Sequence, residues 1–212
     1  MSALAMPDSW SSFVAEEKLT DVQAKQFKQY LQLLIERSKQ FNLTAVTDPG
    51  EMIDRHFRDA LSLRPLLSNY AAPMIADVGT GAGIPGIPLK IAMPEMRLVL
   101  IEVNQKKIAF LEEVATLLGL KNVEIYPHDW RTFIRKTSYP VDIFVARASL
   151  QPKELLRVFS PSSPYRDTQL VYFASRHWSP DADISEYVTR QQSYQVGGTV
   201  RQLIFFSRKS PN

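Results

Sequence analysis

The run Ile75-Ala76-Asp77-Val78-Gly79-Thr80-Gly81-Ala82-Gly83-Ile84-Pro85-Gly86 constrains the fold of this chain more than any other stretch. It reads as a buried strand with an acid near its end, followed by a glycine-rich turn that opens a helix. Glycine has no Cβ and takes up positive φ without a clash. A turn of this kind can bend sharply and offer bare backbone to a ligand, next to the free N–H groups of a helix start.

The sequence after this turn alternates strands and helices. Met74–Val78, Arg97–Glu102, Asn122–Tyr126, Val141–Ala146 and Gln169–Ala174 read as strands. Gln105–Leu118 and Lys153–Phe159 read as helices, the first with Ile108, Leu111, Val114 and Leu118 inward and Gly119 as its stop. Tyr187–Gln195 and Thr199–Ser207 read as late strands joined through Gly197-Gly198. The alternation predicts an α/β fold, a doubly wound and mostly parallel sheet covered on both faces.

The sequence before the turn reads as helical. Met1 to about Glu17 is expected to be a loosely held lead-in. Thr20 caps a helix over residues 21–40, with Phe27, Tyr30, Leu31, Leu34 and Ile35 at helical spacing. A second helix is expected from Glu51 to Leu67, with Met52, Ile53, Phe57, Ala60 and Leu61 inward and Asp54, Arg55, Arg58 and Asp59 on its polar face. The expected division is a helical element over 1–70 and a catalytic domain over 71–212.

Composition narrows the chemistry. Cysteine is absent, which excludes a disulfide framework, a thiolate metal site and a cysteine nucleophile. The three histidines (His56, His128 and His177) have no metal-ligand spacing, so no metal is expected. No signal peptide is recognisable in residues 1–20, and no apolar run has membrane-spanning length. A cytoplasmic monomer with no membrane partner is expected. The net charge of +3 permits an anionic partner without requiring one.

Three cofactors compete for the glycine turn. Nucleoside triphosphates are disfavoured, because Ile87-Pro88 follow Gly86 where a phosphate-gripping loop needs a lysine and a hydroxyl. A dinucleotide fits Gly81-x-Gly83-x-x-Gly86, with Glu102 about twenty residues further on, but Asp77 would stand next to its pyrophosphate. S-adenosylmethionine (SAM) carries a cationic sulfonium and ammonium and no phosphate, so it suits Asp77. Gly79, Thr80, Gly81, Gly83 and Pro85 would surround its methionine part. Glu102 would accept from its ribose hydroxyls, and Asp129-Trp130 would bracket its adenine with a carboxylate or amide and an aromatic face. The bland readings are a strand-end acid for Glu102 and a core aromatic for Trp130.

Four blocks carry a family resemblance: Phe41–Pro49; Met52–Asp59, with Arg55-His56 and Asp59-Ala60; the turn with its Pro85-Gly86-Ile87-Pro88 tail; and the helix with Lys106-Lys107 and Phe110-Leu111. In these the chain resembles the RsmG (GidB) family of small-subunit ribosomal RNA guanine-N7 methyltransferases. The resemblance implies a Rossmann-like SAM-dependent methyltransferase fold with a helical N-terminal extension, and ribosomal RNA or the small ribosomal subunit as partner. It also implies SAM contacts at Gly79, Ile84, Trp130, Arg131 and Arg147, and substrate contacts at Asn42 and His56. Arg55 and Arg58, with Arg64, Lys106, Lys107, Arg135 and Lys136, are candidates for a basic RNA-facing surface. The chain departs from the family at His128-Asp129 and at Ala174-Ser175-Arg176.

The chemistry of the acceptor agrees with N7. Pyrimidine C5 methylation uses a cysteine that this chain lacks. Arg147-Ala148-Ser149-Leu150 stands where an amine-methylating proline turn would follow the fourth strand. Guanine N7 has a free lone pair at neutral pH, so no general base is expected, and Arg147 would act by positioning; its bland reading is a structural ion pair. The alternatives are a SAM-dependent methyltransferase for another RNA or a small molecule, and a SAM- or nucleotide-binding module without catalysis.

Overall fold

The computed structural model describes residues 6–41 and 43–208. Seven strands form one sheet in the order β3-β2-β1-β4-β5-β7-β6. They are β1 (Met74–Val78), β2 (Arg97–Ile101), β3 (Val123–Tyr126), β4 (Ile143–Arg147), β5 (Gln169–Ser175), β6 (Val188–Val196) and β7 (Thr199–Phe206). The first five run parallel, and β7 is antiparallel to both β5 and β6. The expected doubly wound, mostly parallel sheet is present, and the late strands form a hairpin through Gly197-Gly198.

Successive residues on a strand face opposite sides, and both sides of this sheet are apolar. Ile75, Leu98, Leu100, Ile143, Val145 and Val171 face one core. That core also holds residues of α1 (Ser9–Glu16), α2 (Asp21–Ser38), α5 (Gly86–Ala92) and α6 (Gln105–Leu117). Ala76, Val78, Val99, Phe144, Ala146 and Leu170 face the other, under α7 (Trp130–Lys136) and α8 (Pro152–Leu155).

Helix α2 ties the N-terminal region to the site. Its start is a full capping box, in which Gln23 N–H donates to Thr20 Oγ1 and Thr20 N–H to Gln23 Oε1. The Gln23 amide continues to the carbonyls of Ile91 and Ala92 at the end of α5. Gln26 donates to the Leu118 carbonyl past the end of α6, and the buried Tyr30 hydroxyl donates to Ala82 in the glycine turn at 2.6 Å.

Three local expectations change. The lead-in contains helix α1, whose Phe13 is fully buried against Phe27 and Phe57. The second helix is not continuous: α3 (Pro49–Met52) runs into a π-helical turn at Ile53–Arg58, then α4 (Asp59–Leu61) and a 3-10 turn at Arg64–Leu67. A π-turn shifts the residues after it around the helix axis. Asp59, expected on the polar face, is fully buried. Finally, α7 begins where Asp129-Trp130 were read as ligand contacts.

Candidate active site

Strand order reverses about β1, whose two neighbours are β2 and β4. In an open α/β sheet, ligands bind in the crevice beyond the strand ends at such a point. A pocket of about 170 Å³ lies there, between the turn after β1 and the end of β4. Its walls include His56, Gly79, Thr80, Gly81, Ile84 and Arg147, all named from the sequence. Leu43, Thr44, Ala82, Lys107 and Ala148 complete it. Thr44 was not singled out, although it sits inside the first resemblance block. Ligand pockets usually span about 300–1,000 Å³, and this one is smaller.

The turn is held from beneath by Asp77. Its Oδ2 accepts from Thr80 Oγ1 at 2.6 Å and from Gly86 N–H at 2.8 Å, while Oδ1 is buried without a partner among the described residues. Burial pushes this carboxyl up to about 6, against the opposing pull of those two hydrogen bonds. Asp77 does not line the pocket. The reading of it as a direct cofactor contact is corrected to a support for the turn.

The glycines divide in the same way. A Cβ on Gly83 would lie 2.3 Å from Ile87 Cδ1, and one on Gly86 would lie 2.9 Å from Asp77 Oδ2. These two permit close packing of turn, helix and strand, so the expectation that Gly83 makes room for a cofactor is corrected. Pro85, as N-cap of α5, is likewise buried under the turn. Gly81 has no atom nearer than 4.0 Å to its Cβ position and faces the pocket at φ +62°.

Glu102 bridges the turn to the residues after β2. Its Oε2 accepts from Gly81 N–H at 3.0 Å, and its Oε1 accepts from Val103 and Asn104 N–H at 2.9 Å each. These bonds leave Oε2 with one free acceptor site beside the turn.

The residues after β3 are arranged differently from expectation. Asp129 is the N-cap of α7, accepting from Thr132 N–H and Thr132 Oγ1, and these bonds hold its carboxyl below the ordinary range. Trp130 is buried between Phe133 and Phe144, with its indole N–H donating to the Glu154 carbonyl. Its ring offers no face to a ligand, which corrects the aromatic-bracket reading. Arg131 forms a two-point pair with Glu154 at 2.7 and 2.9 Å, and with Arg157 it holds that carboxyl down at about 2.

Arg147 enters the pocket wall from the end of β4. Its Nη1 donates to Asp59 Oδ2 and to the Arg55 carbonyl, each at 2.9 Å, and its Nη2 lies 3.0 Å from His56 Nδ1. His56 Nε2 lies 2.7 Å from Thr44 Oγ1. Burial first, and then the Arg147 charge, push His56 down to about 4, so its ring is neutral at pH 7. Nδ1 also lies 3.0 Å from the Arg55 carbonyl, so this nitrogen faces both a guanidinium donor and a carbonyl acceptor, while Nε2 shares its bond with the Thr44 hydroxyl, which can donate or accept.

Of the other expected substrate contacts, Asn42 lies outside the described residues. The Arg55 side chain is 65% exposed and, among the described residues, pairs only with Glu51, at 3.3 Å. Arg58 is 15% exposed; it pairs with Glu16 and with Asp54 at 3.1 Å, donates to Ser12 and lies over the Phe13 ring. Arg58 thus fastens α1 to the π-helical turn.

A larger cavity of about 1050 Å³ lies between α1, the π-helical turn and the β6–β7 hairpin. None of the turn's glycines lines it; of its three cations, Arg58 and Arg64 are engaged with Glu16, Asp54 and the Glu17 carbonyl, and Lys18 is the third.

A family model described as rRNA small subunit methyltransferase G matches residues 23–203. Relatives named Ribosomal RNA small subunit methyltransferase G include one from Ectopseudomonas mendocina, 38% identical over 162 residues, covering 76% of this chain and 70% of the relative. One from Listeria monocytogenes is 33% identical over 159 residues, covering 73% and 67%. One from Leuconostoc citreum is 43% identical over 109 residues, covering 50% of this chain and 46% of the relative, so that match spans less than half of its length. Among solved structures, a variant of MtNAS in complex with S-adenosylmethionine superposes with a TM-score of 0.56 at 17% identity, covering 94% of this chain and 84% of the other. Human methyltransferase 10 domain containing protein superposes with a TM-score of 0.53 at 13% identity, covering 70% and 80%. At these identities the two structures speak for the fold.

Proposed function

This chain belongs to the rRNA small subunit methyltransferase G family, and from that premise we propose that it transfers a methyl group from S-adenosylmethionine to N7 of a guanine in small-subunit ribosomal RNA. In this reading residues 1–70 are a helical element on the methyltransferase domain of residues 71–212, and the chain works as a cytoplasmic monomer. The observation that carries the proposal is the pocket at the β1/β4 reversal. There Gly81 offers bare backbone, and a cation, Arg147, is held at the wall.

The residues present fit the cofactor. Gly81 leaves open the space that a Cβ would fill, and Glu102 keeps an acceptor site beside it. Arg147 has five N–H groups, of which three are directed at Asp59, Arg55 and His56. The remaining two can donate to an acceptor in the pocket. The bound cofactor supplies an electrophilic methyl group on a sulfonium. Gly79, Gly81 and Ile84 would seat it, with Glu102 and Arg147 as its polar partners.

N7 carries a lone pair that is free at neutral pH, so the reaction requires no proton to be removed beforehand. The site agrees with that requirement. His56 is neutral, with both ring nitrogens engaged, and Asp77 is sealed under the turn. Neither is placed to take a proton from a bound base. What the chain supplies is orientation of the base against the methyl group and exclusion of water.

The test is radiolabelled methyl transfer from SAM to unmethylated small subunits, naked ribosomal RNA and a metabolite extract. Label is expected in ribosomal RNA as N7-methylguanosine, with loss of transfer in Arg147→Ala. Label confined to small molecules, or none with any acceptor, overturns the reading.

A further inference from the structure

The Asp59 carboxylate is fully buried and joins the N-terminal helical run to β4 and to the β6–β7 hairpin, three regions far apart in the chain. Its Oδ1 accepts from the Tyr194 hydroxyl on β6 at 2.6 Å and pairs with Arg201 Nε on β7 at 2.7 Å. Its Oδ2 pairs with Arg147 Nη1 on β4 at 2.9 Å. Among the described residues it is the one acid within ion-pair distance of Arg147. Arginine has a long flexible stem, and a free guanidinium at the mouth of a pocket would sample many rotamers. Here one edge of the guanidinium is tied to an anion whose other oxygen is itself fixed by the β6–β7 hairpin.

We propose that Asp59 is a positioning residue of the site: anchored by Tyr194 and Arg201, it holds the Arg147 guanidinium against His56, so that the two uncommitted N–H groups of Arg147 face the pocket. This rests on the reading of Arg147 given under the proposed function. Asp59 does not touch the ligand. It acts through Arg147, and the hairpin is the fixed end of the chain of contacts.

The experiment compares Asp59→Asn, Arg147→Gln and the double variant with the unchanged full-length chain. SAM dissociation constants, melting temperatures and the His56 titration by NMR are measured. Tyr165→Phe, which removes a buried hydroxyl bonded to Thr137 and Tyr139 in the opposite core, serves as a control for lost stability alone. Losing the hydrogen bonds of a charged donor can weaken binding by roughly 10–100-fold. Asp59→Asn and Arg147→Gln are each expected to weaken SAM binding on that scale, and the double variant no more than either one, because both break the same contact. Asp59→Asn is also expected to raise His56 from about 4 towards 6.5, as the guanidinium leaves its side.

An Asp59→Asn chain that melts earlier, as Tyr165→Phe does, but binds SAM unchanged overturns the proposal. So do additive losses in the double variant. Should Asp59→Asn not fold, Asp59→Glu displaces the carboxylate by one methylene and is expected to shift both readouts in the same direction by less; no shift in either overturns the proposal. Failure of the unchanged chain to bind SAM would instead remove the proposed function. The His56 titration then still decides whether Asp59 holds Arg147, and an unmoved or lowered His56 says that it does not.

Discussion

Asp59 and Asp77 have the same side chain and the same full burial, but their surroundings differ in kind. Asp77 is met by neutral donors three and nine residues further along the chain, and one of its oxygens has no partner among the described residues. Asp59 is met by two arginines and a tyrosine from β4, β6 and β7, and both of its oxygens are engaged. The first carboxylate shapes a local turn. The second ties the N-terminal helical run to the far half of the sheet.

The largest effect expected from this difference is in stability. Replacing one member of a buried ion pair leaves the other charge uncompensated, at a cost of about 3–5 kcal/mol. Asp59→Asn is expected to lose that much in urea unfolding at pH 7. Asp77→Asn keeps an oxygen to accept from Thr80 and Gly86 and removes a buried charge, so its change is expected to be within about 1 kcal/mol. Equal losses in the two variants would erase the distinction.

The second effect is in pH dependence, where Asp77 is set against the histidine that lies next to Asp59's partner. Asp77 is at about 6 in the folded chain against an ordinary 3.8, so the folded state binds its proton more tightly than the unfolded state. Its contribution therefore gains stability as pH falls from about 6 to about 4. His56 is at about 4 against an ordinary 6.5, so the unfolded state takes up its proton first. Its contribution loses stability as pH falls from 6.5 to about 4. The two slopes oppose each other over the same window. His56→Gln is expected to unmask the Asp77 slope and Asp77→Asn the His56 slope. Between pH 6 and 4 the two variants should diverge by more than the ~1.4 kcal/mol of one pKa unit. Parallel profiles would show that neither shift is coupled to folding.

What could be read in the sequence divides along the same line between local and distant contacts. The strands were legible because a strand buried on both faces is a near-continuous apolar run bounded by turn residues. The α2 cap was legible because Thr20 acts on residues within one turn of it. The pocket wall at Gly79, Gly81 and Ile84 was legible because it follows directly from β1. Asp129 also serves as a helix N-cap, because an acid before a short amphipathic run is a cap signal, and Trp130 then falls on the helix face that meets the core. Asp59 was placed on a polar face because the π-helical turn before it cannot be read from a 3.6-residue period. Asp59 and Thr44 at least lay inside blocks of family resemblance. Tyr194 and Arg201 carried no signal, since nothing local records that a late hairpin returns to an early helix.

The smallest expected effect concerns Arg55 and Arg58, which look equivalent in the sequence and stand on either side of His56-Phe57. Arg58 is enclosed by Glu16, Asp54, Ser12 and the Phe13 ring, so Arg58→Ala is expected to cost about 1–2 kcal/mol through lost packing and pairing. Among the described residues Arg55 makes only an exposed pair with Glu51, and its removal should change stability by no more than a few tenths of a kcal/mol. RNA affinity should sort them the other way. Each phosphate contact adds about 0.7 to the slope of log affinity against log salt for a single strand. A cation already neutralised by two carboxylates releases few counterions, so Arg58→Ala should leave that slope unchanged, whereas Arg55→Ala should flatten it by about one contact. A flattened slope in Arg58→Ala would mean that Glu16 and Asp54 give up their partner when RNA arrives, and would make the contact between α1 and the π-helical turn part of substrate recognition.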